Sequence, residues 1–259
     1  MRFGEHEVFG GLSCGFPRGK ISVILGGSGS GKSTMLRLIG GLIKPSQGRI
    51  VVDGDDVVRA SHRELARIRL KLGMMFQGGA LLDSTNVFDN IAFPLREHTS
   101  KTEEQIWFEV REMLGNVGLQ SADARLLPSE LSGGMVKRVA LARAIIMKPT
   151  ILLCDEPFSG LDPITSKRIE LLLGKVNRES GMTLIVISHD APSTMRMADH
   201  LLILLPSRSV EGVPAELVKS KDPCVVNLLS NDVDERLIRL ADVVESRMTL
   251  PADLESTWS

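Results

Sequence analysis

With 259 residues, 31 basic and 32 acidic side chains and a formal net charge of −1, the chain lacks the positive field that nucleic-acid binding uses, and no nucleic-acid partner is expected. It is long enough to bury roughly three-quarters of its unfolded surface, as one large domain or a domain with a subdomain. Cys14, Cys154 and Cys224 lie far apart with no metal-ligand spacing, which excludes a disulfide framework and points to a reduced, cytosolic compartment.

The first ten residues, MRFGEHEVFG, contain no apolar h-region, so no signal peptide is expected. No stretch approaches about 18 apolar residues, so no membrane span is expected either. Residues 8–23 read as a strand region, ending in the apolar, β-branched run 21–25 of a buried parallel strand. The segment GGSGSGKST, 26–34, follows and opens a helix with apolar residues at 35, 36, 38, 39 and 42. Residues 50–58 read as a second strand region with a turn at Asp53-Gly54, and 76–94 as irregular, glycine-containing chain. Residues 103–114 have helical spacing, with Ile106, Val110 and Leu114 on one stripe; 134–147 is a second helix. The continuous apolar runs 150–154 and 183–187 are central parallel strands, joined by a helix over 163–176. Strand–helix–strand alternation predicts an α/β core with a mostly parallel sheet. The strand-poor block from about 77 to 148 reads as a helical insertion, and the charged last 30 residues or so as an amphipathic helix and a tail.

The chemistry is concentrated at strand ends. Gly26, Gly27, Gly29 and Gly31, with Ser28 and Ser30 between them, let the backbone approach a ligand closely. The loop enters a helix, whose free N–H groups and dipole attract phosphate. Lys32 then reaches β- and γ-phosphates, Ser33 ligates Mg²⁺, and Thr34 completes the pattern. Asp155 ends an apolar strand where it can hold that metal through water; Glu156, next to it, is the candidate general base for the attacking water. His189 caps another apolar strand, in position to touch the γ-phosphate and orient Glu156. Ser132, Gly133 and Gly134 precede a helix and form a second anion-attracting helix start.

Five motifs in order, GGSGSGKST at 26–34, FQ at 76–77, LSGG at 131–134, ILLCDEP at 151–157 with SGLD at 159–162, and SHD at 188–190, resemble those of the ATP-binding subunits of ABC transporters over nearly the whole chain. The resemblance implies a P-loop NTPase core with an antiparallel β subdomain and a helical ABC subdomain over about 77–148, the ATPase domain filling 1–222 and a C-terminal extension 223–259. It implies ATP and Mg²⁺ as ligands, Gln77 as the lid glutamine that touches the metal and senses the γ-phosphate, and a homodimer that sandwiches ATP. Ser132 would then face the phosphate held by the partner copy, with Asp162 across the interface. Two positions depart from the family pattern. There is no Tyr to stack on adenine, leaving Phe3 and Phe9 as candidates, and Met135 stands where many relatives have Gln.

The stretches 74–99 and 155–165 look like those of the ATPases that serve Mla- or Mce-type lipid transporters. That likeness implies a peripheral protein on the cytoplasmic face of the inner membrane, paired with an integral permease, an MCE-domain lipid-binding protein and a small accessory protein. Phe88, Phe93 and Leu95 would line the groove for the permease's coupling helix or else pack within the helical subdomain, and the tail past 222 would meet a partner or the other copy or else be a solvated helix. An ABC transporter for another solute is the alternative. A soluble ABC protein acting on DNA or ribosomes fits less well, because only about 100 residues separate the two phosphate motifs, with no sustained heptads. A P-loop kinase would leave LSGG, SGLD and His189 unexplained.

Overall fold

The structure is a computed structural model, describing residues 1–4, 6–205 and 208–230. Its strands are β1 (Arg2–Phe3), β2 (His6–Glu7), β3 (Ile21–Gly26), β4 (Val51–Val52), β5 (Asp55–Asp56), β6 (Leu72–Met75), β7 (Ile151–Asp155), β8 (Thr183–Ile187), β9 (His200–Leu204) and β10 (Ser209–Gly212). Its α-helices are α1 (Lys32–Ile39), α2 (His62–Leu70), α3 (Val87–His98), α4 (Glu103–Asn116), α5 (Gly133–Ile145), α6 (Pro163–Ser180), α7 (Ala191–Met197), α8 (Pro214–Leu217) and α9 (Pro223–Ser230). Six strands form one sheet in the order β10-β9-β3-β8-β7-β6, parallel throughout except for β10 at the edge.

The parallel strands are apolar on both faces because both are covered. Val23, Leu25, Leu152, Cys154, Leu184, Val186, Leu201 and Ile203 point into one core, shared with α5 and α6. Their alternates Ile24, Leu153, Ile185, Ile187, Leu202 and Leu204 meet Met35 and Leu36 of α1 on the other face. A third cluster, with Ile91 and Leu95 of α3, Ile106, Val110 and Leu114 of α4, and Val139, Ala142 and Ile146, fills the helical block. Helix α5 belongs to two cores, with Ala140, Leu141 and Ile145 toward the sheet and Val139 and Ala142 toward the helical cluster. It is therefore buried or half-buried nearly all round, with its basic residues Lys137, Arg138 and Arg143 set among the apolar ones.

Two expectations change, over residues 8–20 and 87–94. Residues 8–20 contain no strand; β3 starts at Ile21. Gly11 (φ 68°) and Gly19 (φ 71°) leave the extended region, and Pro17 has no N–H to pair, so Phe9, Leu12, Cys14 and Phe16 pack against the core without a ladder. Outside the main sheet the described residues form two short antiparallel pairs, β1–β2 and β4–β5; in the second, positive φ at Asp53 (49°) and Gly54 (88°) makes the tight hairpin turn expected there. The irregular stretch 76–94 ends early, since Asn86 accepts from Asp89 N at 2.8 Å and starts α3, which carries Pro94 within it. The predicted helices over 103–114, 134–147 and 163–176 are present, the last extended to Ser180 and closed by Gly181 at φ 67°. The C-terminal amphipathic helix and tail, from 231 on, lie outside the described residues, as does any partner contact they make. Among the described residues no helix is long and apolar enough to cross a membrane.

Candidate active site

The site lies at the C-terminal ends of β3, β7 and β8, neighbours in the sheet, where ligands of open α/β sheets bind. Gly26 ends β3 so tightly that a β-carbon there would stand 2.9 Å from Leu204 O. Gly31 takes φ 94° just before α1, and a β-carbon there would meet Val8 and Phe9 at 2.6 Å. No side chain caps α1, so its first N–H groups remain available to an anion. Lys32 folds back over the loop, donating to Gly26 O at 2.8 Å and Gly27 O at 3.0 Å. The Ser30 hydroxyl is buried with no hydrogen-bond partner among the described residues, a polar atom that a phosphate oxygen would satisfy.

Ser33 Oγ donates to Asp155 Oδ1 at 3.2 Å, bringing two hard oxygen donors together across α1 and β7, a donor set that suits Mg²⁺. Glu156 follows at φ 50°, left-handed for a residue with a side chain, which costs roughly 1–2 kcal/mol and is held by its surroundings. Its N–H donates to Ile187 O at 3.1 Å, extending the β7–β8 ladder by one rung. Its carbonyl accepts from Ser159 N (3.2 Å), Ser159 Oγ (3.0 Å) and Lys137 Nζ (3.1 Å). The turn aims the mostly buried carboxylate at His189, whose Nδ1 lies 2.7 Å from Glu156 Oε2. An ionised carboxylate only accepts, so Nδ1 carries the proton and Nε2 is left for a ligand. Behind His189, helix α7 is pinned to α6 by Arg196, which grips the buried Glu170 at 2.9 Å.

Gln77 stands two residues beyond β6, and the register pairing Met75 with Cys154 sets it beside Asp155 and Glu156. Its side chain is exposed, and its carbonyl accepts from Lys137 Nζ. Lys137 is 5% exposed, and burial pulls its ammonium below the usual lysine range while the Glu156 and Asp155 carboxylates oppose that shift. Arg143 donates to Gly79 O at 2.8 Å, so α5 holds the loop after β6 at two points.

The structure thus brings residues 26–34, Gln77, Asp155, Glu156 and His189 into one place. Ser132 and Asp162 form a second group. Ser132 caps α5, accepting from Met135 N at 3.4 Å, and its own O–H stays free to donate. Asp162 caps α6; the Thr165 hydroxyl, then the Thr165 and Ile164 N–H groups, hold its carboxyl below the usual carboxylate range. The two caps are neighbours, since a β-carbon at Gly134 would lie 2.6 Å from Thr165 Cγ2 and one at Gly133 3.4 Å from Leu161. Among the described residues no hydrogen bond joins Ser132 or Asp162 to residues 26–34.

Of the two candidate stacking rings, Phe9 packs beneath the loop against Gly31, whereas Phe3 is 51% exposed. Of the three groove candidates, Leu95 is buried in the helical cluster, Phe88 packs against that cluster under Arg96, and Phe93 is exposed. A cavity of about 1420 Å³ lies at the other ends of the strands, lined among others by Thr150, Ile151, Met182 and Thr183 and by none of residues 26–34. Sequence reasoning missed Lys137 and Arg143. The available signal was spacing: Lys137, Leu141 and Ile145 follow one another at four-residue steps on the sheet-facing side of α5.

Residues 9–159 match the family model described as ABC transporter. The chain is 44% identical over 232 residues to the intermembrane phospholipid transport system ATP-binding protein MlaF of Haemophilus influenzae, covering 89% of this chain and 88% of the relative. The identity to MlaF of Escherichia coli K12 is also 44%, covering 89% and 86%. Among solved structures, the ATP-binding cassette MJ0796, in a dimeric post-hydrolysis state bound to ADP and Pi, superposes with a TM-score of 0.76 at 32% identity, covering 83% of this chain and 94% of that one. With the phosphate loop, the Asp155–Glu156 strand end and the LSGG helix in this arrangement, the chain belongs to the ABC transporter family, as one of its ATPase subunits.

Proposed function

We propose that this chain hydrolyses ATP to drive the movement of phospholipid or a related lipid between membranes. The Glu156–His189 pair, 2.7 Å apart beside the phosphate loop, carries the hydrolytic part of this reading. Phosphoryl transfer needs positioning and charge stabilisation more than covalent chemistry. Gly26, Gly27, Ser28, Gly29, Ser30, Gly31 and Thr34 wrap the phosphates, and Lys32 leaves its two carbonyls for the β- and γ-oxygens. Ser33 and Asp155, with Gln77, would hold Mg²⁺, which would supply neutralisation of phosphate charge. Glu156 accepts the proton of the attacking water, a role worth about 10²–10⁴ in rate, and His189 fixes its carboxylate.

Ser132, Gly133 and Gly134 serve the phosphate bound by a second copy, and Asp162 lies across that interface. The separation of this group from the chain's own loop, and the dimeric state of MJ0796, support the composite site. The 44% identity to MlaF, a phospholipid transport ATP-binding protein, and the resemblance over 74–99 and 155–165 support the lipid cargo. The chain then sits peripherally on the cytoplasmic face of the inner membrane, with an integral permease, an MCE-domain protein and a small accessory protein. Residues 1–222 act as the ATPase domain, with the helical subdomain at about 77–148, and 223–259 as an extension.

The variant Glu156→Gln is expected to bind ATP and dimerise on size exclusion while turnover falls at least about 100-fold; unchanged turnover would sink the assignment of the base. For the cargo, capture of the chain from solubilised membranes, with mass spectrometry of proteins and lipids, should recover a permease and phospholipid. Recovery of a soluble chain bound to nucleic acid would overturn the transport reading.

A further inference from the structure

Lys137 is a cation placed where a cation is costly. It is 5% exposed, and its ammonium has three N–H donors. It meets three acceptors: Gln77 O, Glu156 O at 3.1 Å and Ser159 Oγ at 3.4 Å. Gln77 belongs to the loop after β6; Glu156 and Ser159 belong to the turn between β7 and α6. The lysine itself rides on α5, the helix that Ser132 caps.

We propose that Lys137 is a positioning residue for ATP hydrolysis: its ammonium ties α5 to the carbonyls of Gln77 and Glu156 and so fixes the left-handed turn that presents the Glu156 carboxylate. This rests on the reading of Glu156 as the base. A left-handed backbone at a residue with a side chain persists only where its surroundings over-determine it. Here the N–H of Glu156 is held by Ile187 O, and its carbonyl by Ser159 and Lys137. Ser159 lies three residues on in the same turn; Lys137 ties the Glu156 carbonyl to α5. The Ser159 hydroxyl donates to the Glu156 carbonyl and accepts from Lys137, so the three groups close a ring of hydrogen bonds behind the carboxylate. Any displacement of α5 through Ser132 is therefore passed by one side chain to both the Gln77 loop and the Glu156 turn. Arg143 holds the same loop through Gly79 O at 2.8 Å, so Gln77 keeps its place without Lys137 and nucleotide affinity, set by residues 26–34, is expected to be retained.

The test uses the full chain with ATP and Mg²⁺. It compares wild type with Lys137→Met, Lys137→Arg, Glu156→Gln and the double variant Lys137→Met/Glu156→Gln, in kcat, KM, affinity for a fluorescent ATP analogue and single-turnover rate. Lys137→Met should lower kcat about 10- to 100-fold, the scale of a roughly 1 Å misplacement, with affinity unchanged within about threefold. Lys137→Arg, which keeps charge and donors, should recover most of the loss. In the Glu156→Gln background Lys137→Met should slow the single-turnover rate no further, because the group it positions is already disabled. A wild-type kcat in Lys137→Met, or an equal further loss in the double variant, overturns the proposal. Circular dichroism checks folding. Should Lys137→Met not fold, Lys137→Gln takes its place, where reduced kcat at unchanged affinity supports the role and wild-type kcat overturns it. A wild-type rate in Glu156→Gln sinks the reading of the base and this inference with it; an inactive Glu156→Gln beside a fully active Lys137→Met sinks this inference alone.

Discussion

At the scale of residues, the site is built from side chains whose neighbours leave them little freedom. Cys154 immediately precedes Asp155, pairs with Met75 and Val186 in the register, and is fully buried. Burial pushes its thiol up to about 12, so at pH 8 it stays protonated and inert. Alkylation of the folded protein at pH 8, mapped by mass spectrometry, should label the exposed Cys224 and spare Cys154 until denaturant is added. Labelling of Cys154 at the rate of Cys224 would mean that the strand carrying Asp155 opens readily, which a rigid metal site would not tolerate. Asp155, Glu156 and His189 were legible as candidates because they stand within two residues of the end of an apolar run of strand length, and strand ends are where such a sheet binds ligands. Lys137 was not legible. A lysine on a helix reads as solvated, and only the three carbonyl and hydroxyl partners contributed by distant loops make burial tolerable there.

At the scale of elements, α5 is the member on which the rest depends. It packs the sheet with Leu141 and the helical cluster with Val139, holds the loop after β6 through Lys137 and Arg143, and offers Ser132 at its start. Leu141 is fully buried, so Leu141→Ala should destabilise the protein by about 2–5 kcal/mol, read as a lower urea midpoint. A change under about 1 kcal/mol would mean that α5 is not wedged between two cores. The helix itself was readable from its pattern, as were the central strands, because continuous apolar runs of strand length have few alternative readings. The two misread segments failed for physical reasons. Residues 8–20 carry a strand-like apolar pattern, yet glycines in left-handed conformation and Pro17 divert the backbone from any partner strand. Residues 87–94 were hidden by Gly78, Gly79 and Pro94, while the determinant of the helix, the Asn86 cap, is a single side chain.

At the scale of the whole molecule, the two groups of phosphate-seeking residues make a strong demand. Ser132 and Asp162 stand together, and residues 26–34 stand with Asp155, Glu156 and His189; among the described residues no hydrogen bond joins Ser132 or Asp162 to residues 26–34. If each site draws one group from each copy, two different inactive variants must complement each other. Lys32→Ala damages the loop, and Ser132→Arg damages the opposing helix start; neither homodimer has an intact site. In a mixed dimer the intact loop of the Ser132→Arg copy faces the intact Ser132 of the Lys32→Ala copy, so one site of two is whole. Equal amounts that exchange freely give half mixed dimers, hence about one-quarter of wild-type turnover if sites act independently. Less than that, but above either variant alone, would measure the coupling between sites, the role proposed for Asp162. No recovery in a mixture shown by tagged pull-down to contain mixed dimers would place both groups in the same copy's site, and the ATP sandwich would have to be abandoned.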